Sequence, residues 1–474
     1  MKAPNLAFAT IEDLAPLLAK KKLSPIELLE HFLARIEKLN PRFNAFITIT
    51  AEQALTDART AERELARGKR RGPLHGIPIA LKDNIWTKGI RTTMGSAILR
   101  TFVPDEDATI VRKLRKAGAV IIGKTNLHEF AYGATNENPH YGPTHNPWAH
   151  ERITGGSSGG STAAVCTGLC VAAIGTDTGG SIRLPAALCG IVGLKPTFGR
   201  VSVHGVFPLA PTLDHVGPLT RSVADAAIVL GTLAGRDPLD LTTAAKPTED
   251  FLQGSKPKRR KIRLGIPKEH MWERIHPDVQ RLVEKAAASL VRSGGAIEQV
   301  SLPTLPAAVD AANMMSIAEA TAVHEQAGYY PSHAAEYGED VSKRLGMGGD
   351  IRAVEYLKGR TTLRQARTEF AAALEQVDAI VAPTVAITAQ KIGTETVRIG
   401  GTDEPMRAAL LRLTRPGNLT GLPNVTVPCG FTPEGLPVGM QLIGPAFAES
   451  DLLAIARLYE QENNWASRHP PSAA

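Results

Sequence analysis

The sequence predicts an α/β protein in which a largely parallel sheet is covered by helices on both faces. Short apolar or β-branched runs alternate with amphipathic stretches from residue 72 onward, which is the pattern of strands alternating with helices. The composition is typical of a soluble globular protein, with 43% hydrophobic and 21% charged residues among 474. No fixed-period repeat is visible, so a solenoid is not predicted.

Residues 1–70 are predicted to form a helical scaffold. Apolar residues recur at helical spacing from residue 10 to about residue 66. Ser24 and Glu27 have the spacing of a capping box, and Pro25 lies at the first helical position, where its missing N–H costs nothing. The apolar positions from Ile26 to Ile36 mark the face of this helix that we expect to be buried.

The rest of the chain divides by the same patterns. The predicted elements are strand 77–81, helix 109–116, strand 120–122, strand 171–175, helix 223–233, strand 262–266, helix 277–291, strand 297–302, strand 378–383, strand 424–427, strand 438–443 and helix 451–461. Residues 236–261 are poor in periodic apolar positions and rich in Pro, Thr and Lys, which predicts a linker or surface excursion. We therefore expect one domain over 1–474, with the scaffold, a core at 71–235, this excursion and a remaining α/β part at 262–474.

Charge and cysteine content exclude several classes of protein. The net charge of +7 comes from 54 basic against 47 acidic residues, a mild excess, and the basic runs 67–71 and 255–263 have no interleaved aromatic residues for stacking on bases. A nucleic-acid partner is therefore not predicted. Four cysteines without a Cys-x-x-Cys pair predict neither a disulfide framework nor a zinc ribbon. Without a secretory or membrane-spanning apolar segment, we expect a cytoplasmic protein with no membrane partner.

Two serines in glycine-rich turns are the candidate reactive groups. Ser157 lies in Gly-Gly-Ser-Ser-Gly-Gly-Ser at 155–161, and Ser181 lies in Asp-Thr-Gly-Gly-Ser-Ile-Arg at 177–183. Glycine permits positive φ and close approach of the backbone, so the N–H groups around these serines can be aimed at a ligand. A serine that attacks a carbonyl needs a neighbouring base and donors for the oxyanion that forms.

Lys82 is the candidate base. It closes the strand-like run Ile-Pro-Ile-Ala-Leu-Lys, which places it at the carboxyl end of a strand, where open α/β sheets collect their ligands. A charged lysine cannot accept a proton, but burial among apolar residues lowers its pKa. The structural alternative is a lysine that pairs with a nearby carboxylate such as Asp83 or caps the strand.

These motifs resemble the amidase signature family, which is related to the A subunits of tRNA-dependent amidotransferases and to fatty acid amide hydrolase. The signature from Gly155 to Pro185 is present without a gap, and the Lys–Ser interval (82 to 157) and the Ser–Ser interval (157 to 181) match the family. The resemblance covers most of 70–465. It continues in the segments Cys189–Thr197, Asp214–Arg221 and Asn418–Pro423.

The resemblance implies a fold and a set of roles. The amidase-signature fold is a large, twisted, mixed and mostly parallel β-sheet covered by α-helices on both faces. Ser181 would be the acylating nucleophile, Ser157 the bridging serine after a cis peptide bond, and Lys82 the base. The other implied roles are the oxyanion hole at Thr178, Gly179 and Gly180, support of the turns by Ser158, Asp177 and Arg183, and an acyl pocket lined by Tyr132. No metal or organic cofactor is implied.

The expected reaction is acyl transfer on a small-molecule amide, and the same chemistry would cleave esters and carbamates, as a urethanase does. Tyr132 and Leu411 point to an apolar or aryl amide. The rival within the family is the glutamine-hydrolysing A subunit of an amidotransferase, which holds glutamine with an arginine and an aspartate. Arg344 matches the arginine, but Leu411 stands where the aspartate is expected, and an apolar residue cannot pair with an ammonium group.

Three further alternatives follow from the sequence. The string at 155–159 also fits a Gly-x-Ser-x-Gly nucleophile elbow centred on Ser157, although the polar, proline-broken segment before it does not resemble the strand that an elbow follows. His140, His145 and His150 are evenly spaced, but a period of five matches no metal-binding spacing. The third alternative is a non-catalytic binding or scaffold protein that retains the amidase fold. The sequence is compatible with a homodimer.

Overall fold

The computed structural model describes residues 5–256, 261–292, 294–463 and 465–471. Its strands are β1 Phe46–Ile49, β2 Pro78–Lys82, β3 Val120–Thr125, β4 Ala172–Asp177, β5 Val192–Lys195, β6 His215–Thr220, β7 Arg263–Pro267, β8 Ala296–Val300, β9 Ala379–Pro383, β10 Thr396–Ile399, β11 Thr402–Pro405, β12 Asn424–Phe431 and β13 Pro437–Ile443. Its helices are α1 Ile11–Ala19, α2 Pro25–Phe43, α3 Ala51–Ala66, α4 Thr109–Lys116, α5 Gly159–Cys166, α6 Arg183–Cys189, α7 Val223–Leu233, α8 Phe251–Gly254, α9 Pro277–Leu290, α10 Leu305–Gln326, α11 Glu339–Gly346, α12 Ala353–Gln376, α13 Met406–Leu411, α14 Arg415–Thr420 and α15 Glu449–Asn463.

Eleven of these strands form one mixed sheet, in the order β1-β3-β2-β4-β6-β5-β12-β13-β9-β7-β8. Parallel pairing occurs in two blocks, β3-β2-β4 and β9-β7-β8, and antiparallel pairs join the blocks through β6, β5, β12 and β13. The mixed α/β sheet expected from the family resemblance is confirmed. Antiparallel pairing is more widespread than the strand–helix alternation alone indicates, because β12 and β13 follow each other directly as a hairpin-like pair.

The central strands are covered on both faces. Every residue of β2, β3, β4, β5, β6 and β13 is buried. Because successive side chains of a strand point to opposite faces, complete burial requires packing on both sides of the sheet. Helices such as α5, α6 and α7 supply this packing.

The N-terminal region is helical apart from one strand. The capping box is present, because Ser24 Oγ accepts from the Ile26 and Glu27 backbone N–H groups and Glu27 Oε2 accepts from Ser24 N. The expectation that residues 10–66 form only helices is wrong at Phe46–Ile49, which forms β1 antiparallel to β3 at one edge of the sheet. The segment Phe-Ile-Thr-Ile is short and includes a polar residue, so it forms a strand only because it pairs with β3, which is distant in sequence.

Most predicted elements are found with shifted ends. The helices at Thr109–Lys116 and Val223–Leu233 have the predicted bounds, whereas the strand predicted at 120–122 extends to Thr125 and the one at 424–427 extends to Phe431. Pairing with a neighbouring strand carries each of these strands beyond its apolar run. The segment 236–261 contains the short helix α8, whose Phe251 is buried; residues 257–260 of this segment and of the basic run 255–263 lie outside the described residues.

Among the described residues, no helix is long and apolar enough to cross a membrane. The four cysteines are free thiols. For the site, the decisive feature is that β2 and β4 are parallel neighbours, with Ile79 to Leu81 opposite Ala172 to Ile174. Both strands therefore end at the same edge of the sheet, β2 at Lys82 and β4 just before the turn that carries Ser181.

Candidate active site

Lys82 lies at the end of β2 and is fully buried. Its Nζ is 2.8 Å from Ser157 Oγ and 2.7 Å from Thr176 Oγ1. Burial lowers the pKa of Lys82 to about 7, against the opposing influence of the Asp177 and Asp214 carboxylates. The alternative of an ion pair with Asp83 is not what the structure has, because Asp83 is 3.4 Å from Lys124 Nζ instead.

Ser157 lies in the turn that precedes α5 and is fully buried. The Gly156–Ser157 peptide bond is cis, as the family resemblance implies. A Cβ atom on Gly156 would lie 2.8 Å from the backbone nitrogen of Asn136, so the close approach of the two chain segments requires glycine here. The turn thereby presents Ser157 Oγ to the lysine.

Ser181 lies in the turn between β4 and α6 and is nearly buried, with 6% of its surface exposed. Among the described residues, its hydroxyl has no hydrogen-bond partner, whereas Ser157 Oγ is bonded to Lys82. The two turns are tied through the backbone, because Ser158 N donates to the carbonyl oxygen of Ser181 at 3.3 Å. Of the two contacts that the expected chain Lys82–Ser157–Ser181 requires, the described residues form the one between Lys82 and Ser157.

The backbone around Ser181 is shaped as a set of donors. Gly180 has φ of +140°, and a Cβ atom on it would lie 2.2 Å from Thr414 Oγ1. Within the described part of the chain, no acceptor is found for the backbone N–H groups of Thr178, Gly179, Gly180 or Ser181. Backbone N–H groups without an acceptor, in the turn that carries a hydroxyl, are what an oxyanion hole requires.

A buried ion pair holds this turn in place. The Arg183 guanidinium bonds both carboxylate oxygens of Asp177 at 3.0 and 2.9 Å, and both side chains are fully buried. Arg183 also donates to Asn418 Oδ1 and to the carbonyl oxygen of Thr414, each at 2.6 Å. Burial by itself would raise the pKa of Asp177, but Arg183 and Asn418 hold that pKa well below its usual range. The predicted supporting positions Asp177 and Arg183 are thus in contact.

Ser158, the third predicted supporting residue, connects the two turns from the other side. Its Oγ donates to the carbonyl oxygen of Thr176 at 3.2 Å, and it also lies 3.4 Å from Thr176 N. Thr176 was not singled out from the sequence, yet its hydroxyl contacts Lys82 and receives a second bond from Asn84 at 3.3 Å. Its place immediately before the Asp-Thr-Gly-Gly-Ser motif, at the end of a buried strand, was the signal for it.

A narrow cleft opens beside Ser181. Its lining residues are Ala131, Tyr132, Gly133, Thr178, Gly179, Ser181, Leu209, Ser316, Arg407, Leu411 and Arg415. The sequence-predicted Tyr132 and Leu411 are therefore in the same cleft as Ser181, whereas Arg407 and Arg415 were missed. Arg407 and Leu411 are four positions apart within α13 and therefore lie on the same side of that helix, whereas Arg415 is the first residue of the next helix, α14.

A second cavity, of about 290 Å³, adjoins the first at Ala131, Thr178 and Leu209. It is lined by Asn84 and Thr176 from the lysine side and by Asp214 and His215. Asp214 accepts from Thr178 Oγ1 and from the backbone N–H groups of Leu209 and Ala210, and burial raises its pKa to about 6. Through Thr178, this cavity reaches the turn that carries Ser181.

The structure supports none of the three other interpretations of the motifs: the glutamine-binding arginine, the nucleophile elbow and the histidine metal site. Arg344 does not line the cleft; it pairs with Asp340 at 2.6 Å and donates to the carbonyl oxygen of Tyr132. The segment before Ser157 contains no named strand from residue 126 to residue 156, so the nucleophile-elbow geometry is absent from this described stretch. The rings of His145 and His150 stack at 3.9 Å, and no metal-binding group of three His, Cys, Asp or Glu residues occurs in the described ranges.

Comparison with known proteins places this geometry in context. A family model described as Amidase matches residues 27–453. The A subunit of the glutamyl-tRNA(Gln) amidotransferase of Moorella thermoacetica is 40% identical, over 98% of this chain and 99% of that protein. The structure of the corresponding protein from Thermotoga maritima has a TM-score of 0.82 at 36% identity and covers all of both chains. A chain from a vestigial protein complex, described in connection with the origins of an s-triazine catabolic enzyme, has a TM-score of 0.91 at 34% identity, over 96% of this chain and 99% of that one.

Proposed function

The chain belongs to the amidase signature family of amide-hydrolysing enzymes, and from that premise we propose that it cleaves the C–N bond of a small amide through an acyl-enzyme formed on Ser181. The observation that carries this proposal is the 2.8 Å contact between Lys82 Nζ and Ser157 Oγ in a fully buried setting. A buried amine with a pKa of about 7 is neutral in a large fraction of molecules at physiological pH and can accept a proton.

The proposed proton path runs from Ser181 through Ser157 to Lys82. A neutral amine has one lone pair and two N–H groups, so Lys82 can accept from Ser157 while it donates to Thr176. When Ser157 gives its proton to Lys82, it takes the proton of Ser181, whose oxygen then attacks the amide carbonyl. This division of work makes a weak hydroxyl nucleophile reactive without a histidine.

The charge that develops on the carbonyl oxygen would be held by the backbone N–H groups of residues 178–181. Return of the proton along the same path protonates the amide nitrogen, which leaves as ammonia or an amine. Water then attacks the acyl-enzyme by the reverse sequence and releases the acid. Asp177 and Arg183 are positioning residues in this scheme, because they fix the turn that carries the donors.

A second candidate, the glutamine-hydrolysing A subunit of a tRNA-dependent amidotransferase, is supported by the full-length similarity to such proteins. That similarity gives it better support than the apolar or aryl amide suggested by Tyr132 and Leu411. Leu411 in the cleft argues against glutamine as the substrate, because this apolar side chain cannot bind the ammonium group of glutamine. Esters and carbamates remain within reach of the same acyl chemistry.

The test is a substrate panel with the purified chain. Release of ammonia or amine is measured for glutamine, aliphatic amides, aryl anilides and carbamates, with Ser181→Ala as the inactive control. Hydrolysis of at least one amide, lost in Ser181→Ala, is the expected result. Full turnover by Ser181→Ala, or no turnover together with no labelling of the folded protein by a fluorophosphonate, would overturn the proposal and favour a binding protein.

A further inference from the structure

Two arginines face the candidate nucleophile without a carboxylate to neutralise them. Arg407 and Arg415 both line the cleft that contains Ser181. Arg415 is buried, with 7% of its surface exposed, and Arg407 is partly buried. Among the residues that the structure describes, neither forms an ion pair with Asp or Glu, and none of the residues that line the cleft is acidic.

Arg415 lies directly over the proposed oxyanion turn. A Cβ atom on Gly179 would be 3.9 Å from the guanidinium carbon of Arg415 and 3.8 Å from Leu411 Cδ2. The described protein partner of the Arg415 guanidinium is the neutral amide oxygen of Asn313, at 2.9 Å. Most of its N–H groups therefore remain available to a ligand at the nucleophile.

The surrounding carboxylates do not compensate this charge. Asp340 is paired with Arg344 and with His128, and Asp310 is exposed. Burial, and then the neighbouring Arg415 and Arg344, lowers the pKa of Arg407 to about 9, and burial lowers that of Arg415 to about 10. A buried cation without a counter-ion is costly, so the cleft is prepared for an anion.

Tyr132 provides an independent observation that points to a polar ligand. Its Oη atom is buried without a hydrogen-bond partner, although the residue is only 1% exposed and lines the same cleft. The guanidinium of Arg407 lies 5.8 Å from the centre of the Tyr132 ring. The Arg344 guanidinium, which is paired with Asp340, lies closer to this ring, at 4.9 Å. A phenol O–H and two guanidinium groups that line one cleft are a set of donors that suits a carboxylate, which guanidinium binds through two parallel N–H bonds.

We propose that this cleft binds a carboxylate on the acyl portion of the substrate, so that the enzyme acts on short carboxylate-bearing amides, as in the half-amide of a dicarboxylic acid. This inference rests on the proposed acyl-transfer function and names its substrate class. Arg407, Arg415 and Tyr132 hold the carboxylate, while Ser181 attacks the amide at the other end. Leu411 and the lack of an acidic lining residue disfavour an additional ammonium group, which separates this substrate class from glutamine.

The chemistry balances as a simple hydrolysis. Glutaramate, the monoamide of glutaric acid, loses its C–N bond, Ser181 gains the acyl group, and ammonia leaves with the returned proton. Water then forms the second carboxylate and regenerates the serine. The acyl-enzyme keeps its free carboxylate against the arginines throughout both steps.

Matched substrates separate the effect of the charge from that of chain length. Succinamate and glutaramate are compared with butyramide and valeramide, which have the same carbon chains without the carboxylate, and with glutamine, which adds an ammonium. We expect kcat/KM for the charged amides to exceed that for their neutral partners by about 100-fold, and Arg407→Met or Arg415→Met to reduce this ratio about 10-fold or more. Arg352→Met, which alters an exposed arginine paired with Glu355, is the control and leaves the ratio unchanged.

A binding measurement keeps this inference distinct from the proposed reaction. Calorimetry on Ser181→Ala is expected to detect glutaramate but not valeramide, with binding weakened in Ser181→Ala proteins that also carry Arg407→Met. Hydrolysis of valeramide at the rate of glutaramate, with equal binding of both, would overturn the carboxylate site and leave the amidase proposal standing. Binding of glutaramate without any amide turnover would instead count against the reaction and support the site.

Discussion

At the scale of single residues, Lys82 is the group that lets the proposed reaction proceed without a histidine. A lysine in water is charged at neutral pH, but complete burial lowers the pKa of Lys82 to about 7 despite two carboxylates in the vicinity. Its two hydroxyl neighbours, Ser157 and Thr176, satisfy the amine in the neutral state. The sequence predicted both the lysine and its need for burial, whereas the contact of Lys82 with Thr176 was identified from the structure.

Replacement of the two serines should affect the reaction unequally. We expect Ser181→Ala to remove the acyl-enzyme and to lower kcat by about 10⁴-fold or more, because the nucleophile is lost. Ser157→Ala should lower kcat by about 10²- to 10⁴-fold, the range of a general acid–base contribution. Steady-state kinetics and intact-mass detection of the acyl-enzyme measure both effects. Equal, small losses in both variants would contradict the assigned roles.

The pH profile should report the neutral form of Lys82. Because the base must be unprotonated, kcat/KM is expected to rise about tenfold per pH unit below pH 7 and to level off above it. Asp214, whose pKa is raised to about 6, is another group near the turn that titrates in this range. The rise of kcat/KM below pH 7 should persist in Asp214→Asn, whereas the remaining activity of Lys82→Met should not depend on pH in this range. If the same rise were found in Lys82→Met, it would have to be assigned to the titration of another group.

At the scale of elements, the site depends on two turns held by long-range bonds. The glycine-rich strings predicted both turns, because only such sequences allow the close approach at Gly156 and the positive φ at Gly180. Local sequence patterns do not predict the hydrogen bonds from Arg183 to Asn418 and Thr414, because these bonds join residues more than 230 positions apart. The family resemblance supplied what local patterns could not.

Breaking the buried ion pair should disturb both stability and reaction. Asp177→Asn leaves Arg183 buried without its counter-charge, which we expect to cost about 3 to 5 kcal/mol of unfolding free energy. Urea denaturation measures the loss, and a matched change in an exposed pair, Asp403→Asn, should have little effect. Unaltered stability together with unaltered kcat would show that the pair does not fix the turn.

At the scale of the whole molecule, the sheet brings distant parts of the sequence to one edge. The alternation of strands and helices predicted the α/β class, and the predicted strand 77–81 placed Lys82 at a carboxyl end, whereas the position of Ser181 beyond β4 emerged from the structure. The strand β1 and the antiparallel pairs in the middle of the sheet were harder to predict from the sequence, because their formation depends on partners far away in the chain. Arg407 and Arg415 reach the cleft by the same long-range packing, which is why substrate preference was the weakest part of the sequence prediction.

The complete set of proposed groups lies in one chain, so the purified chain should be active alone. We expect monoamide hydrolysis by the isolated protein, with a rate per chain that is independent of protein concentration over the assay range. The measurement is ammonia release after purification under high salt to remove bound proteins. Activity that appears only when a co-purified protein is retained, with glutamine as substrate, would favour the amidotransferase assignment.

The most direct test of the proton path is the rate at which a fluorophosphonate labels Ser181, measured by intact mass as a function of pH. The wild-type rate should rise toward a plateau above pH 7, and Ser157→Ala and Lys82→Met should each slow labelling by about 10²-fold or more and remove the pH dependence. Thermal melting of each variant confirms that it is folded. Labelling of Lys82→Met at the wild-type rate and with the wild-type pH profile would contradict the assignment of Lys82 as the base that acts through Ser157.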